Sequence, residues 1–426
     1  MPLAVVALAA ACTAVPDPVP GPVPAPEAVR STRPLDRWYK GNTHTHTLWS
    51  DGDDFPEMVA DWYREHGYDF LAITDHNTLA DAERWIRIPD EGEVATAYGK
   101  YQQRFGPSWV EERRAGDSLL VRLKRLDEYR GRMQTPGRFL LVPGEEITQY
   151  LDRRGAHLNA LNLSEVVPEQ MGASLVEILH RDLAVLDSME RRTGRDIVGV
   201  LNHPNFLWSQ TAEDILRLPE LRFFEVYNGH PLVNVLGDSV HASSERIWDI
   251  VLARRLARGE AMLYGVATDD AHDYHAFAPS ERNPGRGWVM VRADSLAPDA
   301  LMAAMERGDF YASTGVELRA LRRDGARLSL EVSAEPGATY TIQFVGTRAA
   351  HDTASVAVAD SAGRPVTRRY SPQVGEVLAE VRGASAEYTM RGDELYVRAR
   401  VVSSRPKANE SYAGEVEMAW TQPVRP

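Results

Sequence analysis

The sequence predicts an α/β domain with a mainly parallel sheet, followed by a smaller antiparallel β domain. Between residues 35 and 318, short apolar runs alternate with amphipathic stretches, as expected where buried parallel strands are covered by helices. From Arg319 onward, alternating strands separated by turn residues replace that pattern, which indicates an antiparallel β sandwich. The first pattern is compatible both with an open sheet and with a closed barrel.

The elements of the first domain follow in a regular order. The predicted strands are Tyr68–Thr74, Phe139–Val142, Ile197–Leu201, Arg222–Tyr227, Met262–Ala267 and Gly287–Val291. The predicted helices are Pro56–His66, Ser174–Thr193, Ser243–Arg258 and Pro298–Arg307. Residues 79–137 interrupt this rhythm with a charged stretch, which we expect to be a mostly helical insertion. Such an insertion is either a lid beside a site or a solvated excursion.

Composition limits the functional classes. The chain has 426 residues, of which 43% are hydrophobic and 26% charged, as in a soluble globular protein with a sizeable core. Its net charge of -13 argues against a broad nucleic-acid-binding surface. It does not exclude a phosphate ester, because bound cations dominate the field of a site. The single cysteine, Cys12, allows neither an intrachain disulfide nor a cysteine-based zinc site.

The N-terminal residues predict export. Residues 1–12 form a short apolar run that ends at Cys12 and is similar to a bacterial lipoprotein signal. The alternative is a disordered hydrophobic start. Residues 13–35 are rich in proline, which favours a stiff, extended linker. We therefore expect a periplasmic or lipid-anchored protein that contacts the membrane only through an N-terminal lipid anchor.

Candidate metal ligands follow several of the predicted strands. His44 and His46 are two residues apart, which places both rings on one face of a strand. That pair is weak evidence alone, since it also suits two solvated surface histidines. The other candidates are acidic or imidazole side chains in turns or after apolar runs: Asp51, His76, Glu146, His157, His203, Asp270 and His272. The carboxyl ends of parallel strands meet at one edge of a sheet or barrel, so we expect these side chains to converge.

Convergence of so many ionisable groups requires a counter-charge. Each buried carboxylate without a counter-charge costs roughly several kcal/mol of folding free energy or more. Divalent cations remove that cost, and they accept imidazole nitrogen and carboxylate oxygen together. The pattern therefore predicts a multinuclear metal centre.

The order HxH, SDG, TDHN, PGEEIT, AHLNAL, LNHPN and TDDAH resembles the motif series of the polymerase and histidinol phosphatase (PHP) family, over residues 39–315. The resemblance implies a distorted seven-stranded β/α barrel that holds two or three divalent ions of manganese, iron or zinc. It implies one ion held by His44, His46, Glu146 and Asp270, a second by Glu146, His157 and His203, and a third by Asp51, His76 and His272. Glu146 is preferred over Glu145 because it directly precedes Ile147 and Thr148.

The resemblance implies hydrolysis of a phosphomonoester or phosphodiester by a metal-bridging hydroxide, with a small-molecule ester as substrate. A carboxyl or carbamate esterase is the first alternative, because FEVYNGH, RGDFYASTG and the terminal MAWTQPV are similar to an exported branch that includes carbaryl hydrolases. A noncatalytic surface-binding lipoprotein is the second. The sequence leaves the oligomeric state open.

Four further residues are candidates for leaving-group protonation or anion binding. His230 and Arg282 are the preferred pair of catalytic residues, and His241 and Arg286 are the others. A structural role is an equally good interpretation of each.

Overall fold

The computed structural model describes residues 37–426. The predicted signal segment, residues 1–12, and the predicted linker, residues 13–35, lie outside the described residues. None of the helices in the described part of the chain combines the length and apolar character that a bilayer crossing requires.

The described chain contains 21 strands and seven helices. The strands are β1 Trp38–Asn42, β2 Phe70–Ile73, β3 Arg84–Ile88, β4 Glu112–Ala115, β5 Ser118–Leu123, β6 Leu140–Leu151, β7 Arg154–Leu161, β8 Val198–Leu201, β9 Phe223–Asn228, β10 Tyr264–Thr268, β11 Trp288–Arg292, β12 Phe310–Ser313, β13 Leu318–Asp324, β14 Arg327–Val332, β15 Tyr340–Arg348, β16 Ser355–Ala359, β17 Pro365–Tyr370, β18 Glu376–Arg382, β19 Ser385–Thr389, β20 Glu394–Pro406 and β21 Val416–Thr421. The helices are α1 Pro56–Glu65, α2 Glu93–Phe105, α3 Leu126–Met133, α4 Leu175–Thr193, α5 Ala212–Ile215, α6 Ser244–Leu256 and α7 Pro298–Glu306. Every predicted strand and helix overlaps an observed one.

The large sheet is mixed rather than purely parallel. Its order is β10-β9-β8-β7-β6-β2-β1-β11-β12-β21-β20-β15-β18. Strands β1, β2, β6, β8, β9 and β10 share one direction, but β7 runs against β6 and β8. The reversal follows from a two-residue turn at Asp152 and Arg153, whose φ angles of 50° and 69° match a tight hairpin. The expectation of a parallel sheet was therefore wrong at β7 and also at the predicted strand Gly287–Val291, because β11 runs antiparallel to β1.

The sheet does not close on itself by backbone pairing. Among residues 37–426, no ladder joins β10 to β11, so the seven-stranded barrel stays a prediction. The side-chain amide of Gln422, just after β21, instead satisfies the edge of β10: it accepts from the Gly265 N–H (3.0 Å) and donates to the Gly265 carbonyl (2.8 Å). An exposed strand edge is thereby covered.

The C-terminal strands continue the sheet of the first domain. β21 pairs with β12, with Ala312 opposite Trp420, so residues 37–426 form one compact unit. A separate antiparallel sheet, β13-β14-β19, packs against β15 and β20. Leu330 of that sheet shares a hydrophobic core with Phe344 and Val401. The arrangement is that of two antiparallel layers around a common core.

The insertion at residues 79–137 is helical only in part. Strand β3 precedes α2, whereas β4 and β5 lie between α2 and α3, and the three form an antiparallel sheet in the order β3-β5-β4. The prediction of a mostly helical segment was wrong because apolar residues at β5 pair with those at β3, while their many charged neighbours resemble a solvated helix. The insertion packs onto the loop that follows β1, where Trp49 and Phe55 join Tyr101 and Val121 in one core.

One buried carboxylate predicts a pH-dependent stability. Asp182 in α4 is fully buried, and one of its oxygens accepts from Gln149 Nε2 at 3.2 Å. Burial raises its pKa from 3.8 to about 7. Because the raised pKa belongs to the folded state, the contribution of Asp182 to the free energy of unfolding is fully present below about pH 4. That contribution is lost as the pH rises from there through 7.

Asp182→Asn removes this titration. Relative to the wild type, we expect the variant to gain about 1–3 kcal/mol in the free energy of unfolding between pH 4 and pH 8. Urea unfolding of both proteins at the two pH values measures the difference. An identical effect of the substitution at both pH values would show that folding does not change the pKa of Asp182.

Candidate metal centre

The structure brings the nine candidate ligands into one cluster. Their ligand atoms form four overlapping groups, in which the atoms of each group lie within 4.8 Å of one another. The groups are His44, His46 and Glu146; His44, His203 and Asp270; Glu146, His157 and His203; and His46, Asp51, His76 and His272. These groups divide the residues differently from the ligand sets that the resemblance implied. Asp270 is grouped with His203, and His46 is also grouped with Asp51.

Glu146 is the shared carboxylate of the cluster. The sequence predicted that Glu146 follows its strand. In the structure Glu146 lies within the strand, because β6 extends to Leu151. Its Oε1 is 2.9 Å from His157 Nδ1, and its Oε2 is 2.9 Å from His76 Nδ1. Burial alone would raise the pKa of Glu146, but the rings of His76, His157 and His44 hold it well below its usual value.

Asp270 closes the cluster from the other side. Its Oδ1 lies 3.2 Å from His44 Nε2 and 3.3 Å from His46 Nε2. Burial opposes ionisation, yet the pKa of Asp270 lies well below its usual value because of these histidines and His272. Its backbone has φ 53°, and that of His203 has φ 22°. Such conformations are uncommon in residues with a Cβ and concentrate at functional sites.

Asp51 lies at the solvent side of the cluster. Its side chain is 53% exposed, and its Oδ1 is 3.3 Å from His272 Nε2 and 3.4 Å from His76 Nε2. The turn that carries it depends on Gly52, since a Cβ there would lie 2.7 Å from the backbone of His46. The SDG motif thus brings a carboxylate back onto the first histidine pair.

The donor set fits divalent cations. His44 Nε2 and His46 Nε2 point at each other over 3.1 Å, with carboxylate oxygens of Glu146 and Asp270 at 3.2–3.4 Å from them. His157 presents its Nδ1 to the cluster, 2.9 Å from Glu146 Oε1. Buried carboxylates and imidazoles packed this closely are costly without a counter-charge. A cation coordinated by these nitrogens and oxygens would remove that cost.

The sequence did not single out Glu225, which lies directly behind the cluster. Its Oε1 accepts from His44 Nδ1 at 2.7 Å and from Thr268 Oγ1 at 2.6 Å. Its Oε2 accepts from the His203 backbone N–H at 2.7 Å. A carboxylate on Nδ1 leaves Nε2 of His44 free as a ligand atom. The signal in the sequence was a lone charged residue inside the apolar strand FFEVYN.

Other polar side chains fix the ligands in place. Asn202 Nδ2 donates to Glu146 Oε1 at 2.8 Å, and Thr148 Oγ1 contacts His76 Nδ1 at 2.6 Å. Asp75, which precedes His76, accepts from Thr47 and Ser50 and so orders the loop that leads to Asp51. The orienting roles of Asn202, Thr148 and Asp75 were not identified from the sequence, because amide, hydroxyl and acidic residues are common in loops.

His230 lies beside the cluster. Its ring is 5.8 Å from that of His272, and the backbone N–H of Leu232 donates to its Nδ1 at 3.1 Å. Burial lowers the pKa of His230 to about 4. The neutral ring therefore carries its proton on Nε2, because Nδ1 is an acceptor.

Arg282 is the second candidate near the cluster. Its Nε and Nη2 donate to the two oxygens of Asp273 at 2.9 and 2.6 Å. Its backbone carbonyl accepts from the His272 N–H at 2.8 Å. The Arg282 side chain is 33% exposed, and Asp273 occupies the Nε and Nη2 edge of the guanidinium.

The other two candidates lie elsewhere. The ring of His241 stacks on Trp208 at 4.0 Å and contacts Asp238. Arg286 is fully buried, and it donates to the backbone carbonyls of Gly229 and Ala278. Its charge fastens the loop after β10, because a long side chain replaces missing backbone partners there. Both side chains serve the fold in this structure.

The fold and the centre together define a class: an α/β protein with a buried cluster of histidines and carboxylates suited to divalent cations. No protein-family model matches the chain. No curated protein matches it either.

Three solved structures show a distant likeness. A two-domain protein from Bacteroides vulgatus, containing a predicted PHP-like metal-dependent phosphoesterase, is 14% identical with a TM-score of 0.38 and covers 92% of this chain and 96% of its own. A protein from Bifidobacterium adolescentis, assigned as a metal-dependent phosphoesterase, is 14% identical with a TM-score of 0.27, over 55% of this chain and 87% of its own. An amidohydrolase from Chromobacterium violaceum, with bound sulfate and no metal, is 16% identical with a TM-score of 0.26, over 57% of this chain and 93% of its own.

Proposed function

We propose that this chain is a PHP-type metal-dependent hydrolase that cleaves a phosphoester. The observation that carries the proposal is the convergence of six histidines and three carboxylates in four interlocking groups. Shared members such as Glu146 and His44 place the groups next to one another, as a multinuclear centre requires. The motif order in the sequence supports the same family. We propose manganese, iron or zinc as the ions.

The residues divide the work of such a reaction. Divalent cations held by these histidines and carboxylates would supply Lewis acidity and would lower the pKa of a water molecule from 15.7 to about 7. Glu146 and Asp270 neutralise the positive charge of the site and fix its histidines. Glu225 and Asn202 hold His44 and Glu146 in orientation. Burial of these groups excludes bulk water and so strengthens each electrostatic contact.

Arg282 and His230 are placed to act on the substrate. We propose that the edge of the Arg282 guanidinium that Asp273 does not occupy binds an anionic oxygen of the phosphoester. The proton on His230 Nε2 serves as a hydrogen-bond donor to the oxygen of the leaving group. Neither residue is needed to hold a metal, so loss of activity with full metal content is the expected effect of Arg282→Met and His230→Phe.

A direct assay tests the reaction class. Purified protein loaded with manganese, zinc or iron is offered p-nitrophenyl phosphate, bis-p-nitrophenyl phosphate and p-nitrophenyl carboxyl and carbamate esters. We expect p-nitrophenol to be released faster from one of the two phosphate esters than from the carboxyl or carbamate esters. Cleavage of the carboxyl or carbamate esters alone would instead favour the carbaryl-hydrolase-like branch, which FEVYNGH and MAWTQPV support.

Metal analysis tests the noncatalytic alternative. A surface-binding protein without a working centre would retain less than one equivalent of metal and gain no stability from added manganese or zinc. The proposed enzyme retains two or more equivalents, and ligand binding to the folded state raises its midpoint of unfolding. Placement at the cell envelope stays a prediction of the sequence.

Glu225→Gln is predicted to lower the metal affinity of the cluster, although Glu225 itself is not one of the candidate ligands. A neutral amide replaces the carboxylate on His44 Nδ1, and loss of such a partner typically lowers metal affinity by about 10–100-fold. Competition with a chromophoric chelator measures the affinity. Glu213→Gln is the matched control, because Glu213 accepts from Thr367 and Tyr370 away from the cluster. Equal affinities for all three proteins would exclude the orienting role.

A further inference from the structure

Large apolar side chains are exposed near the end of β6 and on two loops close to the metal centre. Tyr150 is 60% exposed, Leu207 55% and Leu232 65%. These three are among the eight large hydrophobic residues that stand exposed in the described part of the chain. Single exposed leucines are ordinary, but their concentration beside one site points to a ligand.

These segments contact the cluster through aromatic rings. The Tyr150 ring meets that of His157 edge-on, with centroids 5.2 Å apart. The Phe206 ring lies 5.3 Å from His203 and 5.8 Å from His230. Leu207 and Leu232 flank these rings in sequence. The exposed side chains thus border the site itself.

The two leucine-bearing loops are held together. Phe206 pairs with Val233 in an antiparallel bridge, which brings Leu207 and Leu232 to neighbouring positions. Asn205 Nδ2 donates to the Asn234 carbonyl at 3.0 Å, and Asn234 Nδ2 donates back to the Asn205 carbonyl at 3.3 Å. The fold therefore fixes the two loops that carry Leu207 and Leu232.

The backbone at Leu207 is strained. Leu207 and Trp208 have φ angles of 52° and 54°, which bulky residues rarely adopt. The conformation closes a tight turn in which the Ser209 N–H donates to the Phe206 carbonyl at 3.1 Å, but the exposure of a leucine side chain in that turn does not help the fold. Strain of this kind persists where the surroundings impose it, and it concentrates at ligand-binding segments.

We propose that Tyr150, Leu207 and Leu232 form an apolar wall that binds a ring or short alkyl group next to the reacting atom of the substrate. This inference rests on the proposed phosphoesterase function. Aryl and alkyl esters bury the wall, whereas sugar esters of equal size leave it in contact with polar groups. The enzyme therefore prefers esters of apolar alcohols or phenols.

Binding of phosphonates tests the wall apart from turnover, because their P–C bond is not an ester. Isothermal titration of the metal-loaded protein compares phenylphosphonate with methylphosphonate. We expect phenylphosphonate to bind about 10-fold more tightly in the wild type, since burial of a ring-sized group supplies about that factor. The variant Leu207→Ser/Leu232→Ser is expected to lose most of this preference.

Val356→Ser is the matched control, because Val356 is 71% exposed on β16 in the C-terminal part of the chain. It should leave the preference unchanged. If the double variant does not fold, Tyr150→Ser takes its place, because the Tyr150 ring lies against His157. No preference in the wild type, including failure to bind either compound, overturns the wall.

The wall and the reaction fail separately. A clear preference for phenylphosphonate in a protein that hydrolyses no phosphate ester would support the wall and overturn the proposed function. Hydrolysis of phenyl and methyl phosphate esters with equal kcat/KM, together with equal phosphonate binding, would support the function and overturn the wall.

Discussion

Glu146→Gln is expected to lower kcat/KM for the phosphoester by about 1,000-fold or more, and to remove at least one equivalent of bound metal. Glu146 contacts five histidines of the cluster, at 2.9–3.4 Å. An amide of the same shape keeps the packing but carries no charge to balance the cations. A 1,000-fold loss corresponds to about 4 kcal/mol of transition-state stabilisation, which is the scale expected when metal-assisted catalysis is disabled. Phosphate release and elemental analysis of the same preparation measure both effects.

The neighbouring carboxylate supplies the control. Glu145 is equally buried, but it lies on the opposite face of β6 and accepts from the Val167 backbone N–H at 2.8 Å. Burial raises the pKa of Glu145 to about 7, so a neutral side chain suits the position. Glu145→Gln should keep full metal content and activity. If Glu145→Gln loses metal while Glu146→Gln keeps it, the assignment of the central carboxylate is wrong.

The position of the site was accessible to sequence reasoning because its residues lie near the ends of apolar strands. His76 follows β2, His203 follows β8 and Asp270 follows β10. The motifs singled out nine residues that the structure places in one cluster. Their roles as ligands stay a prediction. Glu225 escaped because a single acidic residue in a strand carries no spacing, and only the three-dimensional contact with His44 reveals its part.

The fold was predictable where periodicity is strong and not where pairing is non-local. The parallel strands and their helices were readable from apolar runs. The direction of β7 depends on a tight turn at residues 152–153, which lacks the glycine that usually marks one. The cover of β10 by Gln422 depends on a contact 157 residues away in sequence. No local pattern encodes such a contact.

A buried ion-pair network fastens the C-terminal β domain to α6. Arg398 of β20 is fully buried, and its Nε and Nη2 donate to the two oxygens of Asp249 at 3.0 and 2.8 Å. Its guanidinium also lies 4.7 Å from the centre of the Trp248 ring. Tyr396 donates its hydroxyl proton to the same aspartate at 2.8 Å. The sheet and the helix therefore share one charge set in the dry interior.

Arg398→Met is expected to lower the free energy of unfolding by about 3–5 kcal/mol, because it leaves the Asp249 carboxylate buried without its cation. Urea unfolding followed by tryptophan fluorescence measures the loss. Arg364→Met is the control: the pair of Arg364 with Asp360 lies at the surface, with the arginine 79% exposed, and no resolvable change is expected. A loss no larger than that of the control would contradict a fastening role for the pair.

The double variant Arg398→Met/Asp249→Leu separates the burial of a lone charge from the value of the pair. Replacing both partners by apolar side chains removes the stranded carboxylate, so most of the lost stability should return. Glu245 keeps a partner in the double variant, since Arg400 Nη1 donates to it at 2.8 Å. The Tyr396 hydroxyl keeps its 3.2 Å contact with Thr347 Oγ1. If the double variant is as unstable as Arg398→Met alone, the ion pair itself, and not merely charge balance, holds the β domain on α6.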